Sequence, residues 1–521
     1  MTEQHDDPRA GLRRNVYTLL IVLGTGVMLG RILAVDAVDQ IGLEEYRIRL
    51  NLAEKEANYI ADGIQGADLK WKMERQEKRL QREMALRRPF LSANDRSRWC
   101  TVRALVDPEM RVDGHPYAID RVIEQRTWDT IDMVKHDDEG RGGMGPREGH
   151  LYSSKPPLYP TMLAGEYWLI NWATGMTLDE DPHVVARIML VSVNLIPLIV
   201  CFLLLAKLVE RFGTSDWGRI FVMGAAVFGT FLTTFAVTIN NHLPAAVSVM
   251  IAVYAAVRIC FDGDRRWRYF ILAGLFGAFA AANELPALSF LGLLSLVLLL
   301  KSPLRTIFVY VPAVMIVAAG FFSTNWVAHG DFKPPYLHRN DADPNDINED
   351  APNDNWYDYK YVCNGKEIES YWNNPTKLDR GEPSWGIYAA HVLVGHHGIF
   401  SLTPVWLLSL AGGLIWLGRG ADSRLRYLTL LIGVISAVVL AFYLLRPEHH
   451  RNYGGVTSGL RWMFWLAPLW LLTMLPAADA MARRCWTRLV AAGLLILSVL
   501  AASYPTWSPW TSPWIEQYWG W

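Results

Sequence analysis

The chain has 521 residues, 51% of them apolar, with 22 Trp and a formal net charge of −1. A mean hydropathy of +0.13 is high for a soluble enzyme and low for a bare membrane bundle, which fits a multi-span membrane protein with large hydrophilic loops. Fifty basic against 51 acidic residues leave no excess for a nucleic-acid partner, and five Cys in this length exclude a disulfide scaffold.

A span needs about 20 apolar residues, fewer where protein covers it. Eleven segments qualify: 16–35, 185–206, 219–238, 243–260, 269–283, 285–300, 306–326, 400–417, 427–445, 462–479 and 487–503. The stretch 269–300 also reads as one long interrupted helix, divided at Asn283-Glu284-Leu285-Pro286. Charge favours the division. Basic residues cluster at alternate connections: Arg9/Arg13/Arg14, Lys207/Arg211/Arg219, Arg258/Arg265/Arg266/Arg268, Lys301/Arg305, Arg419/Arg424/Arg426 and Arg483/Arg484/Arg488. The links near 239–242 and 283–285, and the tail from Tyr504, carry none. Eleven spans put every cluster on one side, cytoplasmic by the positive-inside rule, and ten break the alternation. No small-residue cleavage site follows the first span, which therefore reads as an anchor.

The resulting layout is an all-α polytopic membrane protein. Residues 1–35 form the cytoplasmic N-terminus and first span, and 36–184 an extracytoplasmic segment. Six spans occupy 185–326, a second extracytoplasmic segment 327–399, four spans 400–503, and a Trp-rich outer tail 504–521. In the first outer segment, 68–88 is a charged helix that reads as solvated or partner-docking and is ended by Pro89. Residues 94–106 form a short amphipathic helix opened by Asn94 or Asp95, and 107–150 is polar and Gly-rich, hence a loop. Leu158–Thr174 is apolar, but a crossing there inverts every later basic cluster, so it is expected to lie in the interface. The tail tryptophans suit an aromatic belt. No internal repeat is visible, which weakens a transporter reading.

Two residues stand out as chemistry. Asp95, in Asp-Arg-Ser-Arg-Trp, reads either as a helix cap or as a base just outside the bilayer. Lys155, in Ser-Lys-Pro-Pro-Leu-Tyr-Pro, reads either as an interfacial anchor or as a fixed cation. Later in the chain, Arg446-Pro-Glu-His-His-Arg-Asn-Tyr-Gly-Gly-Val-Thr-Ser-Gly-Leu-Arg-Trp carries Arg451 and leads to Arg461 at the mouth of a span. It reads as a phosphate cradle or as a tight turn with a snorkelling Arg.

Taken in order, one span, an outer Asp-x-Ser-Arg-aromatic motif, then Lys-Pro-Pro-Leu opening an interfacial helix, then many spans, the chain resembles the GT-C superfamily of integral-membrane glycosyltransferases. It is most similar to the branch with protein O-mannosyltransferases and lipid A aminoarabinose transferases. The resemblance implies transfer of a sugar from a polyprenyl-phosphate donor to an acceptor hydroxyl or amine on the outer face of a bacterial inner membrane. It implies Asp95 as the catalytic base, Arg98 beside it, and Lys155 at the carrier phosphate, with Arg451 and Arg461 as further cations. Direct displacement of this kind inverts the anomeric centre. Departures from the pattern are the long insertion 36–94, the sequence Asn240-Asn241-His242 where relatives often carry another acid, and Glu284 where a basic residue is common.

Asn241, His242, Glu284, His396 and His397 are expected substrate contacts. His242 reads equally as a hydrogen-bonded packing residue, while a carboxylate at a span boundary such as Glu284 needs a partner. The acidic run 341–354 lacks the Gly and Glu of a helix-loop-helix calcium site. His396-His397 and His449-His450 lack companion ligand spacing, so no metal or cofactor is expected, with room left for a divalent cation. Cys100 and Cys363 are both expected outside, with no firm basis for pairing. Partners are the lipid-linked donor, membrane lipid and an envelope acceptor (glycan, lipid or protein). The alternative from another class is a non-enzymatic lipid-glycan transporter or flippase.

Overall fold

The structure is a computed structural model and describes residues 9–39, 41–84, 87–142, 145–339, 355–375, 377–418, 420–505 and 507–519. The acidic run 341–354 lies outside them. The chain is 69% helical, and among the described residues the strands form three two-stranded antiparallel ribbons.

Among the described residues, seven helices are long and apolar enough to cross a membrane: Ala10–Leu33, Pro182–Phe212, His242–Cys260, Pro303–His329, Ser423–Leu444, Arg461–Met481 and Cys485–Ser503. Shorter helices, Asp216–Phe228, Trp267–Asn283, Leu288–Lys301 and Trp406–Leu417, occupy the other expected spans. The expected 219–238 span is not one helix. It ends at Phe228, and a bend and a 3-10 turn, Thr234–Val237, follow. The 269–300 stretch is divided at Glu284, whose backbone is extended (φ −132°, ψ 106°) between helices ending at Asn283 and resuming at Leu285.

The central helices His242–Cys260 and Arg461–Met481 are the most enclosed of the seven, whereas Pro303–His329 and Cys485–Ser503 present mostly apolar side chains outward. That is the order expected when some helices face lipid and others face protein. The first helix is clamped by Arg13, which is buried and donates to Glu210 at 2.8 Å and to Asp216 at 2.7 Å.

The first hydrophilic segment is more structured than its composition suggests. Helices Ile41–Ala61 and Gly66–Met84 pack on each other. Helix Ala93–Val106 is almost wholly buried, Arg96 and Arg103 included. Arg103 is sustained by Asp107, Gln125 and Asp179 at 2.6–2.9 Å. Helix Leu158–Thr174 packs Tyr159, Leu163 and Tyr167 inward and leaves Met162, Trp168, Leu169 and Trp172 exposed. The stretch 107–150 is not a simple loop. Short helical turns, Pro108–Met110, Asp120–Glu124 and Arg126–Trp128, occupy its first half, and Met133–His136 pairs with His150–Ser153 to close its second. Cys100 and Cys363 are both free thiols.

Candidate functional site

Helix Ala93–Val106 is capped two or three residues earlier than expected. Ser92 is its cap, its hydroxyl accepting the Asp95 N–H at 3.0 Å. Asp95 is therefore relieved of capping, and its carboxylate faces another segment. It accepts the Ile239 N–H at 3.1 Å and is hydrogen-bonded by the Thr238 side chain. Burial pushes the carboxyl up to about 6, partly offset by those two hydrogen bonds and by Arg98.

Segment 238–240 is itself held from behind. The helix Pro182–Phe212 contains a single π-turn, Val191–Leu195, and from it Asn194 donates its side-chain N–H groups to the carbonyls of Ala236 and Thr238, both at 3.0 Å. Such a bulge re-aims a side chain at the cost of helix regularity.

Arg98, one turn beyond Asp95, donates to the Asn94 carbonyl (2.9 Å) and side chain (2.7 Å), and to Asn241 Oδ1 at 2.8 Å. The Asn241 amide donates to Glu284 Oε1 at 2.7 Å. His242 Nδ1 meets the same oxygen, and His242 Nε2 faces Arg461 Nη1 at 3.1 Å. A guanidinium only donates, so Nε2 accepts and the proton sits on Nδ1, pointing at Glu284. One carboxylate oxygen thus organises both guanidinium groups, one through an amide and one through a neutral imidazole. Burial pushes the Glu284 carboxyl up to about 8 against the attraction of Arg461 and Arg98.

Arg461 is fixed on its other edge by the Gly454 carbonyl at 2.9 Å, and lies over the Trp510 ring at 4.8 Å. The loop that presents Gly454 has three successive residues with positive φ: Tyr453 (55°), Gly454 (95°) and Gly455 (74°). The two glycines of the sequence motif permit that reversal. Trp510 belongs to the C-terminal tail, and its indole N–H donates to Thr238 Oγ1 at 3.1 Å. It is packed into the site instead of standing in an interfacial belt, whereas Trp507 is exposed.

The Met133–Ser153 pairing brings Asp132 beside Lys155, carboxylate to ammonium at 3.0 Å. Ser97 on the Asp95 helix ties in the same corner, donating to the Asp132 carbonyl at 2.5 Å and bonding Ser153 at 2.6 Å. Burial lowers the Lys155 amine to about 8, and Asp132 opposes that fall. Burial alone raises Asp132, but the charges of Lys155, Arg461 and Arg98 overcome it and hold the carboxyl below the ordinary range.

Asp95, Arg98, Lys155, Asn241, His242, Glu284 and Arg461 therefore belong to one polar cluster, with Asp132, Thr238 and Trp510 added by the fold. Three carboxylates (Asp95, Asp132, Glu284) face three cations (Arg98, Lys155, Arg461). Arg446 and Asp379 stand within electrostatic reach and add one charge of each sign. Arg451 is elsewhere, donating to the carbonyls of Arg446, Glu382 and Pro383 at 2.9–3.4 Å. His396 and His397 pack with Tyr453 and His391.

Such a cluster can bind an anion between three cations while a carboxylate of raised basicity accepts a proton. No family model matches the sequence, and no curated protein matches it. Among solved structures, the crystal structures of the Archaeoglobus fulgidus oligosaccharyltransferase, with Zn and sulfate and in the apo form, are similar at a TM-score of 0.36 and 12% identity over 81% of this chain. The archaeal oligosaccharyltransferase AglB from the same organism, in complex with an inhibitory peptide and a dolichol-phosphate, is similar at a TM-score of 0.33 and 13% identity. The chain spans 54–56% of the length of these proteins.

Proposed function

We propose that the protein is a membrane glycosyltransferase that moves a sugar from a polyprenyl-phosphate donor to an envelope acceptor on the extracytoplasmic face. The observation that carries this reading is the meeting of Arg98, Lys155 and Arg461 with two carboxylates of opposite character. Asp95, with its affinity for protons raised by burial, suits a general base. Asp132, held low by Lys155, suits a counter-ion.

The acceptor O–H or N–H gives its proton to Asp95 as the acceptor atom bonds to the anomeric carbon. The bond from that carbon to the phosphate oxygen breaks, and its electron pair leaves with the phosphate. The leaving group needs no proton. Lys155, Arg461 and Arg98 offset its growing charge in a site shielded from water. Displacement on the face opposite the phosphate inverts the centre. Glu284, through Asn241 and His242, orients the two guanidinium groups. Arg451 has no part in this step, since it braces the loop through the carbonyls of Arg446, Glu382 and Pro383. The positive-inside pattern supports an outward-facing site, since each of these segments falls in an outer link of the eleven-span reading.

The test uses protein in lipid nanodiscs with a panel of radiolabelled polyprenyl-phosphate sugars and cell-envelope extract as acceptor, following release of the carrier phosphate. Wild type is expected to release it. Asp95→Asn is expected to bind donor and release none, and Lys155→Ala to bind donor weakly. Donor bound by wild type but never cleaved overturns the transferase reading in favour of a lipid-glycan carrier.

A further inference from the structure

Away from the Asp95–Arg461 cluster, the fold brings together His396, His397 and Glu516, whose ligand atoms all lie within 4.8 Å of one another. Adjacent side chains diverge on a helix or strand. Residues 394–398, however, form a turn between helices Trp385–Leu393 and Ile399–Leu402. The turn is tied by Ser401 Oγ donating to the Gly395 carbonyl at 2.5 Å. It swings the two rings towards each other, Nδ1 facing Nδ1 at 2.5 Å.

Both histidines are buried, and the Tyr453 ring stacks on His397 at 5.1 Å and lies across His396 at 4.8 Å. The His397 ring also meets the backbone of Thr457, the kind of contact that orients a metal-bound imidazole. Two imidazoles on one tetrahedral zinc have their nitrogens about 3.3 Å apart, given Zn–N bonds near 2.0–2.1 Å. Reaching that separation from 2.5 Å takes a ring movement of less than about 1 Å. Glu516 supplies the third ligand from a different part of the chain, leaving a fourth position for water.

We infer that His396, His397 and Glu516 bind a divalent cation of the zinc type, which pins the C-terminal segment to the turn 394–398. The consequence reaches the polar cluster. The same segment carries Pro509, whose carbonyl accepts the Ser458 N–H at 2.9 Å, and Trp510, over which Arg461 lies. Its Ile515 packs with Phe231, Phe235 and Leu402. A cation here clips the tail in place, as structural metals do by binding only the folded arrangement. The inference stands independently of the sugar-transfer reading.

The test uses the full chain in lipid nanodiscs, stripped with a chelator and titrated with zinc, or with cobalt for its visible spectrum. Metal per chain is compared among wild type, His397→Ala, Glu516→Gln and Asp132→Asn, the last because carboxylates of the other cluster also attract cations. Wild type is expected to take about one zinc per chain, Glu516→Gln to bind at least about tenfold more weakly, and Asp132→Asn to bind normally. Stripping is expected to speed chymotrypsin cleavage at Trp507, Trp514 and Tyr518 by about tenfold. Glu516→Gln, at a partly exposed tail position, carries the test if His397→Ala does not fold. Less than about 0.2 zinc per chain overturns the site, as does zinc undiminished in Glu516→Gln. Unchanged cleavage after stripping overturns the pinning.

Discussion

Replacing Asp132 by Asn removes the charge that keeps Lys155 protonated. The two groups are 3.0 Å apart with side chains 14% and 18% exposed. At an effective dielectric near 20, a pair at that distance attracts by about 5 kcal/mol. Residual hydration screens part of this, leaving about 2–3 kcal/mol, or a fall of about two units in the amine pKa. From about 8 in the native protein, the amine drops to about 6. An amine is charged below its pKa, so the variant loses the ammonium as pH rises through about 6 and wild type only through about 8. The proposed donor is a phosphodiester whose own charge is constant over this range, and groups common to both proteins cancel in the ratio of their Kd values.

That ratio is expected to be close to its limiting value below about pH 5.5, to rise by about tenfold by pH 7 and by about fiftyfold by pH 8. Loss of the repulsion between Asp132 and the phosphate shifts the ratio by one factor at every pH, so its slope is the diagnostic. Donor binding in nanodiscs, read by calorimetry or filter retention from pH 5.5 to 8.5, supplies the curve. A ratio independent of pH refutes the coupling of Asp132 to Lys155, or the meeting of Lys155 with the phosphate.

In Arg461→Lys, the contacts to Gly454 and His242 and the stacking on Trp510 cannot all be kept. A fall in kcat/KM of at least about thirtyfold is expected, about 2 kcal/mol, measured by carrier-phosphate release. In the wild type, kcat/KM is expected to lose activity as pH falls through about 6, where Asp95 takes up a proton and ceases to be a base. An acid limb well below 5 argues for a different base. Asn194→Leu strands the buried carbonyls of Ala236 and Thr238, and a loss of about 1–3 kcal/mol in stability is expected by thermal melting, with a lower kcat because Ile239 no longer holds Asp95. Ser92→Ala is expected to cost about 1 kcal/mol by the same melting assay, through loss of the cap alone.

Much of this arrangement is legible in the sequence because it rests on local rules. Apolar runs mark the helices, and a short motif at the start of a helix marks Asp95 and Arg98. Asn241, His242 and Glu284 stand out as polar residues at span ends, and structure joins them through a single carboxylate oxygen. Asp132 escapes because its role depends on register. Only the pairing of Met133 with Ser153 carries it to Lys155, and composition across 107–150 speaks of glycine instead. Trp510 escapes for a related reason, since a tail rich in tryptophan looks interfacial until the tertiary fold delivers one indole to Thr238. Asn194 depends on a π-turn that leaves no pattern in an apolar run. The convergence of His396 and His397 likewise follows from a turn, against the divergence that regular backbone imposes.

The equal numbers of carboxylates and cations around the cluster have an acid–base consequence. With its carboxyl at about 8, Glu284 is mostly protonated at neutral pH, so the empty cluster holds one net positive charge, and the phosphodiester of the proposed donor cancels it. As pH rises through about 8, Glu284 ionises and the Lys155 ammonium is lost. On the proposed reading, donor entry in that range draws protons from the medium and departure of the carrier returns them. The cluster then works as a small buffer whose set point moves with occupancy, so the acidity of the compartment it faces sets how firmly the lipid is held between turnovers.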